Sequence, residues 1–195
     1  MNPRKYFSTP ASLSSSGAYR RDRASRIGRH DRARPLEPAT KGAVGAWAIN
    51  PATALSYATA FNATPLERIA MIRRGIPASE AKRIFADLSL GQGAGFKALN
   101  LSTATVNKKA KQGDMLSPEE SERVIGFAKL VGQLEAMIQD SGDPTNFDAR
   151  AWMARWLTEP LPAFGGVRPA DLVDTMEGQS LVSSALAKIQ SGAYA

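Results

Sequence analysis

Six polar residues in one short segment have the side-chain types and the spacing that suit contact with DNA. They are Thr103, Thr105, Asn107, Lys108, Lys109 and Lys111. No acidic residue lies among them. Ser102 can cap a helix over this segment, and Val106 and Ala110, four residues apart, would face the core. The six polar side chains are then left mostly outward.

A second short helix is predicted just before this one, over Gln92–Leu99, and Asn100 and Leu101 form a tight turn between them. This order and these lengths are typical of a helix-turn-helix, although the turn lacks a central glycine. In that motif the N-terminal half of the second helix enters the major groove. Base edges would then be reached by Thr103, Asn107 and Lys108, and phosphates by Lys109 and Lys111.

The alternative is a polar, solvated helix in a domain that does not bind DNA. Residues 46–195 carry equal numbers of basic and acidic side chains, which weakens the electrostatic attraction to a phosphate backbone. Both interpretations stay open from the sequence.

Residues that could support catalysis are scarce. The chain has no cysteine, and His30, its one histidine, lies in a polar N-terminal segment. Histidine-based triads and thiolate metal sites are thereby excluded from a folded domain. Gly91–Gly95 mimics a phosphate loop, but no strand precedes it and no Gly-Lys-Ser/Thr follows. We therefore predict no enzyme, no metal site and no cofactor.

The acidic cluster of Glu119, Glu120 and Glu122 also has a structural explanation. It falls in the first turn of a predicted helix, where acids interact favourably with the macrodipole. Paired-carboxylate catalysis would need a pocket that nothing in the sequence suggests.

The segment from residue 147 to residue 195 reads as a compact helical unit. Trp152 and Trp156 are four residues apart and share a helical face, which Met153 and Leu157 widen. These side chains are predicted to form the core of a small domain rather than to contact a partner directly.

A turn and two further helices are predicted after the tryptophans. Pro160 and Pro162 end the first helix, and Gly165 and Gly166 permit a sharp reversal with positive φ. Pro169 suits the first turn of a short helix.

That short helix would end at Gly178, with apolar contacts that include Met176. Gly192 would close the final helix. The predicted core face of the final helix is Leu181, Val182, Ala185, Leu186 and Ile189.

In this order and spacing, the segment resembles the toxin-binding domain of the Xre/MbcA/ParS antitoxin family. The resemblance rests on the Trp-bearing helix and on the residues that follow it, which are Gly165, Gly166, Arg168, Pro169, Leu172, Thr175, Gly178 and Gly192. It implies docking on a RES-type toxin that consumes NAD, with the end of the antitoxin blocking the active-site entrance. The toxin-binding residues that it implies are Arg168, Lys188, Ile189, Ser191, Gly192, Ala193, Tyr194 and Ala195. The predicted helix-turn-helix resembles the Xre-type motif that precedes this domain in the same family.

The remaining sequence predicts an all-α protein with an uneven charge distribution. The whole net charge of +7 falls in residues 1–45, which hold few apolar residues and are predicted to be a disordered basic tail. Capping boxes at Thr64 and Ser117 predict helix starts. The predicted domains are the tail over 1–45, a linker over 46–63, a helix-turn-helix domain over 64–140 and a toxin-binding domain over 147–195.

These expectations combine into an antitoxin that neutralises a RES-type toxin and represses its own operon by binding operator DNA. A homodimer or a larger toxin–antitoxin hetero-oligomer is expected. No apolar run reaches the roughly 18 residues that a membrane span needs. We expect a bacterial cytoplasmic protein that is nucleoid-associated when bound to DNA. The alternative is a stand-alone transcriptional regulator whose C-terminal domain only oligomerises.

Overall fold

A computed structural model describes residues 54–88, 90–141 and 147–190, and these ranges contain helices and no strand. The helices are α1 (Tyr57–Asn62), α2 (Pro65–Arg74), α3 (Ala78–Ala86), α4 (Gln92–Ala98), α5 (Thr103–Gln112), α6 (Pro118–Asp140), α7 (Ala149–Thr158) and α8 (Met176–Gln190). Two 3-10 turns, Pro162–Phe164 and Pro169–Asp171, connect α7 to α8. The all-α prediction is confirmed. None of the described helices is both long enough and apolar enough to span a membrane.

Both predicted capping boxes are present. The Thr64 hydroxyl accepts from the Glu67 amide at 3.3 Å, and the Glu67 carboxylate accepts from the Thr64 amide at 2.7 Å. The Ser117 hydroxyl and Glu120 carboxylate make the equivalent pair at 3.2 and 2.8 Å. Each box satisfies two amides that a helix start would otherwise leave without a partner, so α2 and α6 begin where the sequence predicts.

The long helix α6 lies at the centre of the fold, in contact with α1, α2, α7 and α8. The face that the sequence predicts to be apolar is buried. It consists of Val124, Phe127, Val131, Leu134 and Ile138. At the N-terminal half of α6, Phe127 lies 5.2 Å from the ring of Phe85, which lies 5.1 Å from that of Phe96. These three rings join α3 and α4 to α6.

The predicted linker over 46–63 is wrong where the structure describes it. Ser56 caps α1, and Leu55, Tyr57 and Ala60 are buried against the core. A six-residue helix has little stability of its own, because most helical stability comes from tertiary packing. The local signal for α1 is the capping box that Ser56 makes with Thr59, and the helix is too short for apolar periodicity to indicate it. The predicted disordered tail over 1–45 lies outside the described residues.

The C-terminal region confirms the core assignment of the two tryptophans. Trp152 and Trp156 are stacked, with ring centroids 5.6 Å apart and planes at 14°, and both are buried. Gly165 and Gly166 have φ values of 65° and 86°, as the predicted reversal requires. The short helix predicted to begin at Pro169 is only a 3-10 turn.

Three predictions about the C-terminal helices are wrong. Gly178 does not end a helix, because it is buried in the first turn of α8, where an added Cβ would lie 1.8 Å from the carbonyl oxygen of Leu172. Met176 is likewise the exposed first residue of α8. Leu181 is predicted to lie on the core face, but its side chain is 48% exposed. The rest of the predicted face is buried at Val182, Ala185 and Leu186 and half-buried at Ile189.

Candidate functional site

The helices α4 and α5 form the predicted helix-turn-helix. Between them Asn100 has a φ of 52°, so asparagine adopts the left-handed conformation that a glycine more often supplies. The Leu101 amide donates to the Phe96 carbonyl oxygen at 2.8 Å, which closes the turn. Ser102 then caps α5 by accepting from the Thr105 amide. The turn is tight without the central glycine because Asn100 tolerates the required backbone geometry.

The six candidate DNA-contacting residues of α5 fall into two groups. Thr103, Thr105, Lys108 and Lys111 are exposed. Asn107 and Lys109 are half-buried, because they flank the fully buried Val106 around the circumference of the helix. The exposed group has no carboxylate on the same helix and could meet a phosphate backbone, with base edges within reach of its N-terminal half.

Lys109 already has an ion-pair partner on a neighbouring helix. Its ammonium lies 2.5 Å from the Glu120 carboxylate at the start of α6. Partial burial favours a higher pKa for Glu120, but the hydrogen bonds from Lys109 and from the Ser117 amide outweigh it. They hold this pKa below its ordinary value of 4.5. Lys109 therefore anchors α5 to α6, a role that could not be read from α5 alone.

The exposed face of α8 combines apolar and charged side chains. We call it the α8 stripe, and it consists of Glu177, Leu181, Ser184 and Lys188. The steps of four, three and four residues place these side chains on one face of the helix. Leu181 is the large apolar residue in the stripe. The sequence predicts Leu181 in the core, and its exposure could not be found from the adjacent pair Leu181–Val182, because adjacent helical residues such as Leu130 and Val131 are both buried in this fold.

The other predicted toxin-binding residues have mixed surroundings. The Arg168 guanidinium makes a two-pronged ion pair with Asp171, both contacts being 2.8 Å, and this hydrogen bonding lowers the pKa of Asp171. Ile189 is half-buried and packs against the core, and Lys188 is exposed. Ser191, Gly192, Ala193, Tyr194 and Ala195 lie outside the described residues. The structure therefore brings Lys188 and Leu181 together and leaves Arg168 at a separate turn.

Two protein families match this chain over separate ranges. Residues 67–129 match the antitoxin Xre-like helix-turn-helix domain, a range that contains α4 and α5. Residues 142–192 match the antitoxin Xre/MbcA/ParS C-terminal toxin-binding domain, a range that contains α7 and α8. The matches separate the two candidate surfaces in the same way as the geometry does.

A curated protein is similar over most of both chains. It is a "Prs ADP-ribosylating antitoxin" from Sphingobium sp. (strain YBL2), 56% identical over 140 residues. The aligned region covers 72% of this chain and 88% of that protein. This chain belongs to the Xre/MbcA/ParS antitoxin family. It is an antitoxin of a toxin–antitoxin system, it carries a helix-turn-helix domain, and it is not an enzyme.

The domains of this antitoxin imply two classes of partner, a toxin and DNA. The predicted stand-alone regulator is thereby disfavoured, because the C-terminal range is a toxin-binding domain of its family. Within the described residues, no group of three or more acidic or histidine side chains could hold a metal ion.

One buried side chain connects the two domains of the antitoxin. The Gln179 amide on α8 donates to the carbonyl oxygens of Val173, at 2.8 Å, and of Arg123 on α6, at 3.1 Å. The Arg123 guanidinium in turn donates to the carbonyl oxygens of Leu99 and Asn100 in the turn before α5. The toxin-binding domain and the helix-turn-helix are thus joined by consecutive hydrogen bonds rather than by apolar contact alone.

Proposed function

We propose that this antitoxin neutralises a RES-type toxin that consumes NAD, by covering the entrance to the toxin active site. The observation that carries the proposal is the 56% identity to a protein whose name refers to ADP-ribosylation. ADP-ribosyl transfer takes its ADP-ribose from NAD, so a toxin with that activity would be an NAD-consuming enzyme. The covering surface would be the α8 stripe together with Lys188, Ile189 and residues 191–195.

Exposure on α8 supports this assignment. Leu181 offers an apolar side chain that no described core residue covers, and Lys188 follows two helical turns later on the same face. Protein–protein interfaces concentrate their binding energy in a few such central apolar anchors with a polar surround. Arg168 is a secondary contact in this proposal, because binding the toxin through its guanidinium would first require the pair with Asp171 to open.

Co-expression with the toxin encoded beside the antitoxin gene tests neutralisation. Induction of the toxin alone is expected to stop growth and to deplete cellular NAD, and the antitoxin is expected to restore both. A purified, stable complex that still consumed NAD at the rate of the toxin alone would overturn active-site covering.

The same antitoxin would repress its own operon through α5. Thr103, Asn107 and Lys108 would contact bases, and Lys111 phosphates, while Lys109 would serve mainly to hold α5 in place. A homodimer would present two α5 helices to half-sites about one helical turn apart, roughly 34 Å. These activities place the protein in the bacterial cytoplasm, with nucleoid association when it is bound to DNA.

Binding to a promoter fragment tests autoregulation. The full chain should protect a palindromic element from nuclease digestion, and its affinity should fall steeply with salt. Equal affinity for promoter and unrelated DNA at physiological salt would contradict operator recognition and leave toxin neutralisation untouched.

A further inference from the structure

A second apolar surface lies beside the α8 stripe. A cleft of about 320 Å³ opens between α2, α6 and α8. Its two walls carry Ile69 from α2 and Met176 from α8, each with 41% of its surface exposed. Ile125 and Leu130 form a buried apolar floor. Large apolar side chains on facing walls of an open cleft are typical of a binding surface rather than of ordinary solvent exposure.

Positive charge predominates along the cleft. Lys129 and Arg68 both line it, and burial, with the charge of Arg68 as a second cause, lowers the pKa of Lys129. Arg68 donates to the carbonyl oxygens of Ala60 and Ala63 at the end of α1, and those neutral groups leave its charge in place. In the described part of the chain, neither cation forms an ion pair with a carboxylate. The cleft therefore favours a negatively charged group.

Glu122, also among the lining residues, does not neutralise Lys129. Glu122 and Lys129 are seven residues apart on α6, a separation of about 10 Å at the usual rise of a helix. One end of the cleft is thus acidic and the other end is basic. A ligand would have a preferred orientation in it, with its carboxylate at the Lys129 end.

The cleft is continuous with the toxin-binding domain. Met176, Gln179, Ser180 and Ser183 form its α8 wall, and all of them fall within the range that matches that domain. Ser180 and Ser183 are sequence neighbours of Leu181 and Ser184 in the α8 stripe, so both faces flank the exposed side of one helix. A stable protein–protein interface usually buries about 800 Å² per partner, more than the four side chains of the stripe provide.

We propose that the toxin also occupies this cleft, inserting an apolar side chain next to a carboxylate that pairs with Lys129. This proposal rests on the proposed function, since it takes the toxin as the partner. The toxin would then contact α8 on two faces, and it would also contact α2 and α6 of the helix-turn-helix domain.

DNA is a poor candidate for the same cleft. Glu120 and Arg123, which contact α5 and the turn before it, lie on a different side of α6 from Glu122 and Lys129. A helix-turn-helix that inserts α5 into the major groove would therefore point the cleft away from the duplex. The apolar walls also suit a protein side chain better than a phosphate backbone.

Two methionines of equal exposure give a matched test. Met176 and Met115 are each 41% exposed, but Met115 lies before α6 and outside the cleft. Toxin affinity of the full chain should fall at least tenfold in Met176→Glu, because the new carboxylate repels the incoming one and disrupts apolar contact. Lys129→Glu should lower toxin affinity to a similar extent. Met115→Glu should bind the toxin with wild-type affinity. Affinity is measured by calorimetry, with thermal unfolding of each variant as the folding control.

A photo-crosslinking amino acid at position 176 gives a readout that does not depend on a charged variant folding. It should crosslink to the toxin, and the same group at position 115 should not. Wild-type affinity in both Met176→Glu and Lys129→Glu would overturn the cleft proposal and leave the proposed function standing. The oligomeric mass of the toxin-free antitoxin could instead differ between these variants and the wild type while their toxin affinity is unchanged. That result would assign the cleft to a second copy of the chain and would also overturn the cleft proposal. A wild-type chain that does not bind the toxin would instead refute the proposed function.

Discussion

The helix-turn-helix and the α8 surface carry opposite chemistry on one connected fold. In α5 the outward side chains are hydroxyls and lysines, and apolar Val106 is buried. In α8 apolar Leu181 is exposed at the centre of the outward face, and cationic Lys188 lies near its end. A phosphate backbone is attracted by charge, whereas a protein partner is bound mainly through buried apolar area.

The two regions also differ in how their side chains are held. Lys109 is fixed to α6 by Glu120, and Arg123 holds the turn before α5, so α5 is positioned by charged contacts from α6. The side of α8 away from solvent is held by the buried Gln179 and by apolar packing. Both arrangements depend on α6, so we expect the two surfaces to fold together although their proposed partners differ.

The largest expected effect is a core substitution that removes both surfaces together. Phe127→Ala should lower the free energy of unfolding by about 3–5 kcal/mol, because it leaves a cavity beside Phe85 where α3 packs on α6. Urea denaturation should show one transition, with DNA and toxin binding lost in parallel. Phe164→Ala, at a half-buried position, is the milder control. Two separate transitions would show that the surfaces belong to independently folding units.

A substitution in the α8 stripe should weaken toxin binding without changing DNA binding. Leu181→Glu should weaken toxin binding by about 2 kcal/mol or more, roughly thirtyfold, because it removes an exposed apolar anchor. Operator affinity and the unfolding midpoint should stay close to wild-type values, since Leu181 is 48% exposed. Ser180→Glu, one residue earlier but on the cleft side, tests how far the interface extends. Toxin affinity that was insensitive to Leu181→Glu would remove the stripe from the interface.

A substitution in α5 is expected to weaken DNA binding and to leave toxin binding unchanged. Lys111→Ala should reduce the slope of log K against log salt by about 0.9, the value for one lost phosphate contact. Toxin affinity should not change. The measurement is operator binding by fluorescence anisotropy at several salt concentrations. An unchanged slope would place the phosphate contacts elsewhere.

The smallest effect concerns the ion pair that positions α5. Glu120→Gln retains a carbonyl oxygen for the Ser117 amide but removes the charge that holds Lys109. The loss of stability at neutral pH should be about 0.2–1 kcal/mol, as for other partly exposed pairs. The released lysine should strengthen non-specific DNA binding, measured on unrelated duplex, and Glu119→Gln is the neighbouring control. No gain with Glu120→Gln over Glu119→Gln would show that the pair does not withhold Lys109 from DNA.

The same carboxylate has a defined pH dependence. The pKa of Glu120 in the folded chain is below its ordinary value of 4.5, so the unfolded state binds more protons near that pH. The stabilisation is complete above about pH 5 and is lost as the pH falls through the folded-state pKa. The Glu120→Gln variant should therefore lose less stability than the wild type between neutral pH and pH 3.

Local signals in the sequence were sufficient for most helix boundaries. The capping boxes at Thr64 and Ser117 predict the starts of α2 and α6, because a capping box lies within four consecutive residues. The sequence also predicts the order of α4, turn and α5, including the cap at Ser102. The sequence did not predict the helix α1, because its six residues are stabilised by burial against α6 rather than by their own helix propensity.

The candidate site was predicted less completely, for a related reason. The family's C-terminal pattern pointed to Lys188, but the exposure of Leu181 depends on which way α8 is turned against α6. The partner of Lys109 lies eleven residues away on another helix, and the walls of the cleft come from Ile69 and Met176, more than one hundred residues apart.

By itself the sequence determined an all-helical antitoxin with a helix-turn-helix and a toxin-binding domain, because capping, periodicity and family motifs are local patterns. Tertiary structure alone decided which side chains of α5 and α8 remain exposed, since exposure depends on what packs against each helix. It also decided that Gln179 and Arg123 link the two domains and that the cleft exists. These features arise from contacts between segments distant along the chain, which no local pattern encodes.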